Sequence, residues 1–317
     1  MKKLLKKVFK NGLFLLLSLV SLVWMAPEAA ATPSTYIWIP SVDIQPFWVL
    51  HLTADNYYRN HVKIPTDIGL TIGVLPFEKI QAEIGIDWLT PANDPTYFNF
   101  KLGVPEGAFH KWQPALVVGG FNFGTQYHKD EVRTDYNIGY GLVAKTLPFL
   151  GRFSAGYYGG NSDLLRDPAG RRASHGVLAA WDRTLSEISD KLWMAVDYQG
   201  GLNDLAAVNF GMSYKFAPNV SVIFAYDHYL NDRKKFKGLA SPDRRYTHPG
   251  TFTVQFDIDI DMTSMKNFTR DVKQIGLIPV YAFEDIINLP ANIVGFPANV
   301  KKVWEGEWKK TKDLLSF

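Results

Sequence analysis

The chain contains no cysteine. That excludes a disulfide framework, a thiolate nucleophile and any metal site built on sulfur. A lasting excess of positive charge is missing as well. The 34 lysines and arginines outnumber the 31 aspartates and glutamates, but residues 1–31 alone hold Lys2, Lys3, Lys6, Lys7 and Lys10 against Glu28. Without that stretch 29 basic residues face 30 acidic ones. A nucleic-acid binder needs a basic face that survives maturation, so no nucleic-acid partner is expected. Between residue 32 and residue 262 no segment sustains the 3.6-residue apolar period that a mixed α/β enzyme requires.

Catalytic constellations are equally scarce. His51, His61, His110, His128, His175, His228 and His248 show no paired metal-ligand spacing, and most fall in or beside expected loops, so no metal and no cofactor is expected. Ser174 and His175 are chain neighbours whose side chains point to opposite faces of a strand, which rules them out as a nucleophile and its base. Gly139-Tyr140-Gly141 is not followed by a helix and is no phosphate loop. The chain reads as a non-enzyme.

What is present begins with a leader. Five lysines, an apolar run from Leu13 to Val23 and Ala29-Ala30-Ala31 compose a secretory signal peptide over residues 1–31, cut before Thr32. Residues 32–42 then read as an N-terminal periplasmic segment. Behind it, alternation of polar and apolar residues returns again and again. Its clearest instance runs unbroken from Thr251 to Asp261, placing Phe252, Val254, Phe256, Ile258 and Ile260 on one face and Asp257, Asp259 and Asp261 on the other. Ile80, Ile84, Ile86 and Trp88 likewise oppose Gln81, Glu83, Gly85 and Asp87. Stretches 115–123 and 174–182 are small or apolar on both faces.

About twelve such segments are long enough to cross an apolar layer, centred near residues 49, 71, 84, 100, 118, 140, 155, 178, 195, 210, 224 and 255. Short links such as Leu75-Pro76-Phe77-Glu78, Leu147-Pro148-Phe149-Leu150 and Ala217-Pro218-Asn219 alternate with longer loops at 53–66, 124–133, 160–173 and 229–249. This is the turn-and-loop asymmetry of an all-β, antiparallel, up-and-down transmembrane barrel over residues 43–261, with lipid on its apolar face and a lumen on its polar face.

These strands and links resemble the Gram-negative outer-membrane β-barrel proteins, porin-like in kind, across residues 43–261. The opening Tyr36-Ile37-Trp38-Ile39-Pro40-Ser41 with Asp43-Ile44-Gln45-Pro46 resembles uncharacterised exported barrel proteins of environmental proteobacteria. The resemblance implies residence in the outer membrane. It is broken at the end of the chain, where residues 262–317 follow the last strand instead of a terminal aromatic closing it.

Candidate pore-lining residues are Glu83, Asp87, Asp197, Asp227, Asp257 and Asp259 against Lys101, Lys145, Arg152 and Lys215, with Asp182 and Asp261 adding to the acidic side. An acid excess biases a water-filled pore toward cations, so passive passage of small solutes with mild cation preference is the leading expectation. Gly69, Gly73, Gly103, Gly139, Gly141, Gly156 and Gly211 are placed on the same inner face, where small residues leave room for solute or receive a plug. Twelve strands enclose a lumen that Tyr36–Pro46 or the tail can block, which is the alternative: a non-conducting barrel scaffolding a partner. An outer-membrane lipid-modifying enzyme is a third reading. The tail, residues 262–317, reads as periplasmic. Within it Val300, Trp304 and Trp308 recur at helical spacing opposite Lys301, Lys302, Lys309, Lys310 and Lys312, the pattern of a membrane-interface helix. Expected partners are outer-membrane lipid and lipopolysaccharide, the latter at Arg233–Lys237 with Arg244 and Arg245, and a periplasmic partner of the tail.

Overall fold

A computed structural model describes residues 34–58, 66–90, 95–127, 133–231 and 250–315. The leader and the basic loop at 233–245 lie outside the described residues, as do His61, His128 and His248.

Twelve antiparallel strands close into one barrel: β1 (Val49–Tyr58), β2 (Thr66–Gly73), β3 (Gln81–Thr90), β4 (Thr96–Val104), β5 (Ala115–Gly124), β6 (Asp135–Leu147), β7 (Gly151–Gly159), β8 (His175–Thr184), β9 (Leu192–Gln199), β10 (Ala207–Ala217), β11 (Val220–Tyr229) and β12 (Gly250–Asp261). Each pairs with its sequence neighbours, and β12 returns to β1 in a register that sets Val49 opposite Asp261 and Tyr58 opposite Phe252. Closure leaves no unpaired sheet edge. Both chain ends of the barrel and the links 148–150 and 218–219 lie at one rim, the turn end. The opposite rim, the loop end, carries the longer connection 160–174.

The alternation sorts as expected along most strands. Ile84, Phe98, Phe100, Leu102, Phe210, Met212, Phe224, Phe252 and Phe256 are exposed on the outside, while Glu83, Lys101, Asn209, Ser213, Thr253, Gln255 and Asp257 are buried within. Two departures stand out. β1 starts at Val49 instead of being centred there, so Thr53–Tyr58 are strand and not loop. In β6 the inner face is Ile138, Tyr140, Leu142 and Ala144, all buried, whereas Gly139, Gly141 and Lys145 sit on the other face. The polar-inside rule fails in β6 because the lumen beside it is filled with protein instead of water.

The filler is the segment ahead of β1. Residues 34–46, read both as part of a periplasmic segment over 32–42 and, from Tyr36 to Pro46, as a candidate block of the lumen, enter the lumen. Tyr36, Ile39, Val42 and Ile44 form one buried apolar cluster with Val117, Ile138, Tyr140, Leu142, Tyr158 and Leu178 of the wall. The segment leaves the lumen against Gly73, where an added Cβ would lie 2.0 Å from the Pro46 carbonyl oxygen. That close approach admits only glycine.

After β12 come α1 (Met265–Gly276) and α2 (Ile278–Leu315). Ser264 caps α1, its hydroxyl accepting from the Asn267 N–H at 3.2 Å. The buried Asp271 carboxylate then accepts the Asp261 N–H at 2.8 Å, which ties α1 to the end of β12. α2 continues through Pro290 and Pro297. Each proline removes one i to i−4 bond and leaves the flanking ones available. No helix among the described residues is long and apolar enough to cross a membrane.

Candidate functional site

The lumen is divided lengthwise by residues 34–46. On the β5–β8 side the segment packs on apolar wall. Ile37 packs on Ala195, Ile223 and Ala225 of β9 and β11, and polar groups from several strands, β7 among them, add directional holds. Asp197 of β9 aims one carboxylate oxygen at three successive backbone donors, accepting from the N–H groups of Ile37 (2.8 Å), Trp38 (2.9 Å) and Ile39 (3.4 Å), while Asn209 Nδ2 donates to its other oxygen at 2.5 Å. Gln255 Nε2 of β12 donates to the Ile37 carbonyl oxygen at 2.9 Å. Tyr36 Oη and Ser154 Oγ share a hydrogen bond of 2.5 Å. Burial pushes the Tyr36 hydroxyl well above the usual tyrosine range, so it stays neutral.

Two ion-pair knots complete the hold. Arg152 of β7 forks onto Asp43, with both guanidinium bonds at 2.7 Å, and also onto Asp182 at 2.8 Å. Such bidentate pairs fix orientation as well as position. Lys101 Nζ of β4 donates to the carbonyl oxygens of Asp43 (2.6 Å) and Ser34 (2.8 Å) and pairs with Glu83 at 3.0 Å. Glu83 in turn accepts from Ser34 Oγ at 2.5 Å and the Gln45 N–H at 2.7 Å.

Beside this segment remains a cavity of about 180 Å³, lined among others by Asp55, Asp67, Glu83, Asp87 and Asp257, with Lys101 and His51 as its basic members. His51 is not loop-borne but buried in β1, its Nδ1 2.6 Å from Asp259 and its Nε2 3.7 Å from Asp257. No group of three or more histidine, aspartate or glutamate side chains among the described residues is placed to hold a metal ion. At the turn end a second cavity of about 470 Å³ lies between Arg152, Asp182, Lys191, Lys215 and the α2 residues Val303, Glu307 and Lys310.

The expected pore-lining residues therefore separate into groups. Glu83, Lys101, Arg152 and Asp197 bind the inserted segment. Asp87 accepts from Asn99, and with Asp257 it borders the remaining cavity. Asp227, buried in β11, accepts from Thr253 Oγ1 at 2.5 Å. Asp259 pairs with His51, and Lys215 lines the turn-end cavity. Lys145 is a correction: it stands on the outer face of β6 near the turn end and pairs with Glu106 at 2.8 Å. Asp43, His51, Asp55 and Asp67 were missed. Asp55 fell inside an expected loop, and Asp43 had no strand period to place it.

α2 spans part of the turn end. Asp285 pairs with Lys191 at 2.5 Å and accepts from Tyr214 Oη at 2.7 Å, the Trp304 ring lies 4.9 Å from the Phe149 ring, and Lys111 Nζ donates to the Asp313 carbonyl oxygen at 3.4 Å. Phe149 occupies the left-handed region (φ 64°) in the tight β6–β7 link. Its N–H donates to Glu307 at 2.9 Å. Burial works against the ionised Glu307, yet the Lys310 ammonium and the Phe149 N–H hold its carboxyl below the usual glutamate range.

No protein-family model matches the chain, and no curated protein matches it. Among solved structures it is similar to the KdgM porin (8% identity over 66% of this chain and 98% of that chain, TM-score 0.43). It is similar also to the NanC porin (10%, 66% and 98%, TM-score 0.38) and to an outer-membrane channel from Pseudomonas putida F1 (10%, 69% and 98%, TM-score 0.40). Independently of those likenesses, the even strand count, the edge-to-edge closure and the apolar outer band give this chain the architecture of a transmembrane β-barrel of the outer-membrane type.

Proposed function

We propose that the chain is an outer-membrane channel for small solutes that its own N-terminal segment holds closed, with passage following displacement of that segment. The observation that carries this reading is the Asp197 carboxylate gathering the N–H groups of Ile37, Trp38 and Ile39. The twelve strands pair without help from residues 34–46, so the segment is an occupant of the barrel and not one of its staves. With the leader cut after Ala31, it is tethered only where it enters β1. Ordering a free chain end opposes its insertion, and the polar anchors supply the directional hold that apolar packing lacks. Once displaced, it leaves a lumen lined by more carboxylates than cations, which favours passage of cations.

Planar-bilayer recording tests this. Full-length protein is expected to be nearly silent, and deletion of residues 34–44 to give single-channel steps with cation preference. Silence in both, with the deleted barrel folded, would overturn the channel, whereas steps from the deleted barrel with a full-length protein that stays silent at every voltage and pH would favour a second reading, the permanently plugged scaffold. The apolar cluster of Tyr36, Ile39, Val42 and Ile44 is the observation on that side.

A further inference from the structure

We propose that the C-terminal half of α2 lies in the phospholipid headgroup layer at the turn end of the bilayer that the barrel spans, with anionic phospholipid as its partner. The inference rests on the barrel being membrane-embedded. Around the helix, half-buried Val300, Val303 and Glu307 mark the barrel side, and Val303, Glu307 and Lys310 border the turn-end cavity. The adjoining stripe is apolar and uncovered: Trp304 is 53% exposed and Trp308 56%. This stripe is continuous with the outer wall, because Trp304 packs at a tilt against Phe149 while Leu147 and Leu150, on either side of Phe149, are themselves exposed. A tryptophan pair set beside the end of an apolar wall is the placement that a membrane interface favours.

Next to that stripe the helix is basic. Lys301, Lys302, Lys309 and Lys312 are exposed, and Lys312 Nζ lies 5.5 Å from the Trp308 ring. Among the described residues of this half, only Glu305 and Asp313 share the exposed face as acids. Long lysine stems can lie over the tryptophans while their ammonium groups reach lipid phosphates. The same side chains set against water would leave two indoles uncovered.

Full-length protein and the double variant Trp304→Phe, Trp308→Phe are placed in nanodiscs of phosphatidylcholine with phosphatidylglycerol, brominated near the headgroup end of the acyl chains. The difference between their emission spectra isolates the helix pair. The expected result is that bromolipid quenches most of this difference signal and that aqueous acrylamide quenches little of it. The double variant's own signal reports the remaining tryptophans, Trp88 and Trp181 of the barrel among them. If that signal is quenched by lipid while the difference signal is open to acrylamide, the proposal is overturned and the barrel's embedding stands. If neither is quenched by lipid, embedding itself fails. Omitting phosphatidylglycerol is expected to raise acrylamide quenching of the pair several-fold, and indifference to its omission would overturn the assignment of an anionic partner.

Discussion

Two neighbours on β12 illustrate how much one position decides. Phe256 is exposed on the outer wall and Gln255 is 2% exposed inside, where it holds the Ile37 carbonyl. Phe256→Arg is expected to cost about 2–4 kcal/mol of barrel stability if the side chain lies near the bilayer midplane. Gln255→Ala removes one neutral hydrogen bond, worth about 1 kcal/mol, and is expected to loosen the inserted segment while the barrel stays folded. Urea unfolding in lipid vesicles read beside protease cleavage within 34–46 separates the two, and equal barrel losses for both would refute the assignment of faces. Gly73→Ala is the steric counterpart. Its new Cβ meets the carbonyl oxygens of Gln45 and Pro46, so the segment has to shift where it leaves the lumen, and raised ion conductance is the expected reading.

Among the elements, α2 carries the clearest pH dependence. Glu307 is held below its ordinary range when α2 is docked, so its contribution to docking is complete above the ordinary glutamate value of about 4.3 and is lost as pH falls through the lower docked value. Protease release of the tail, followed on acidification, is expected to rise in that window and to be flat in Glu307→Gln. The strands show why some elements were legible and others not. Alternation from Thr251 to Asp261 reports a face in lipid and a face in polar surroundings, and β12 follows it residue by residue. The ambiguity over 115–123 and 174–182 has the same physics. Their inner residues, such as Val117 and Leu178, meet Tyr36, Ile39 and their neighbours instead of water, so both faces had to be apolar. A periodicity argument assumes what covers each face. Here the cover came from a segment with no period of its own.

At the scale of the whole molecule the two rims differ, and the chain's lack of cysteine makes that testable. Lys312→Cys on α2 and Ala169→Cys in the 160–174 connection are expected to lie on opposite sides of the membrane. An impermeant maleimide on intact cells should label the Ala169→Cys variant alone, and labelling of Lys312→Cys alone would invert the topology. The barrel and its strand count were legible in the alternation and the link lengths, whereas the candidate site was legible only in its wall. Glu83, Lys101, Arg152 and Asp197 announce themselves as inward charges, but lumen size alone left Tyr36–Pro46 and the tail as equal candidates for what they hold, because residues 34–46 have no strand period that would assign them a place.

The bond between Gln255 and Ile37 also bears on the order of events during biogenesis. Val49 and Asp261 stand at opposite ends of the strand sequence, so the barrel seals only after its final strand has been delivered. Residues 34–46, synthesised first, bind β9 through Asp197 and β7 through Ser154 and Arg152, yet meet their last partner on β12. Contacts of such long sequence separation form late and slowly. Pairing of β12 with β1 brings Gln255 into the lumen beside Ile37. The strand that seals the wall is therefore also a strand that holds the stopper, so a chain cut short of β12 lacks both the closure and this bond.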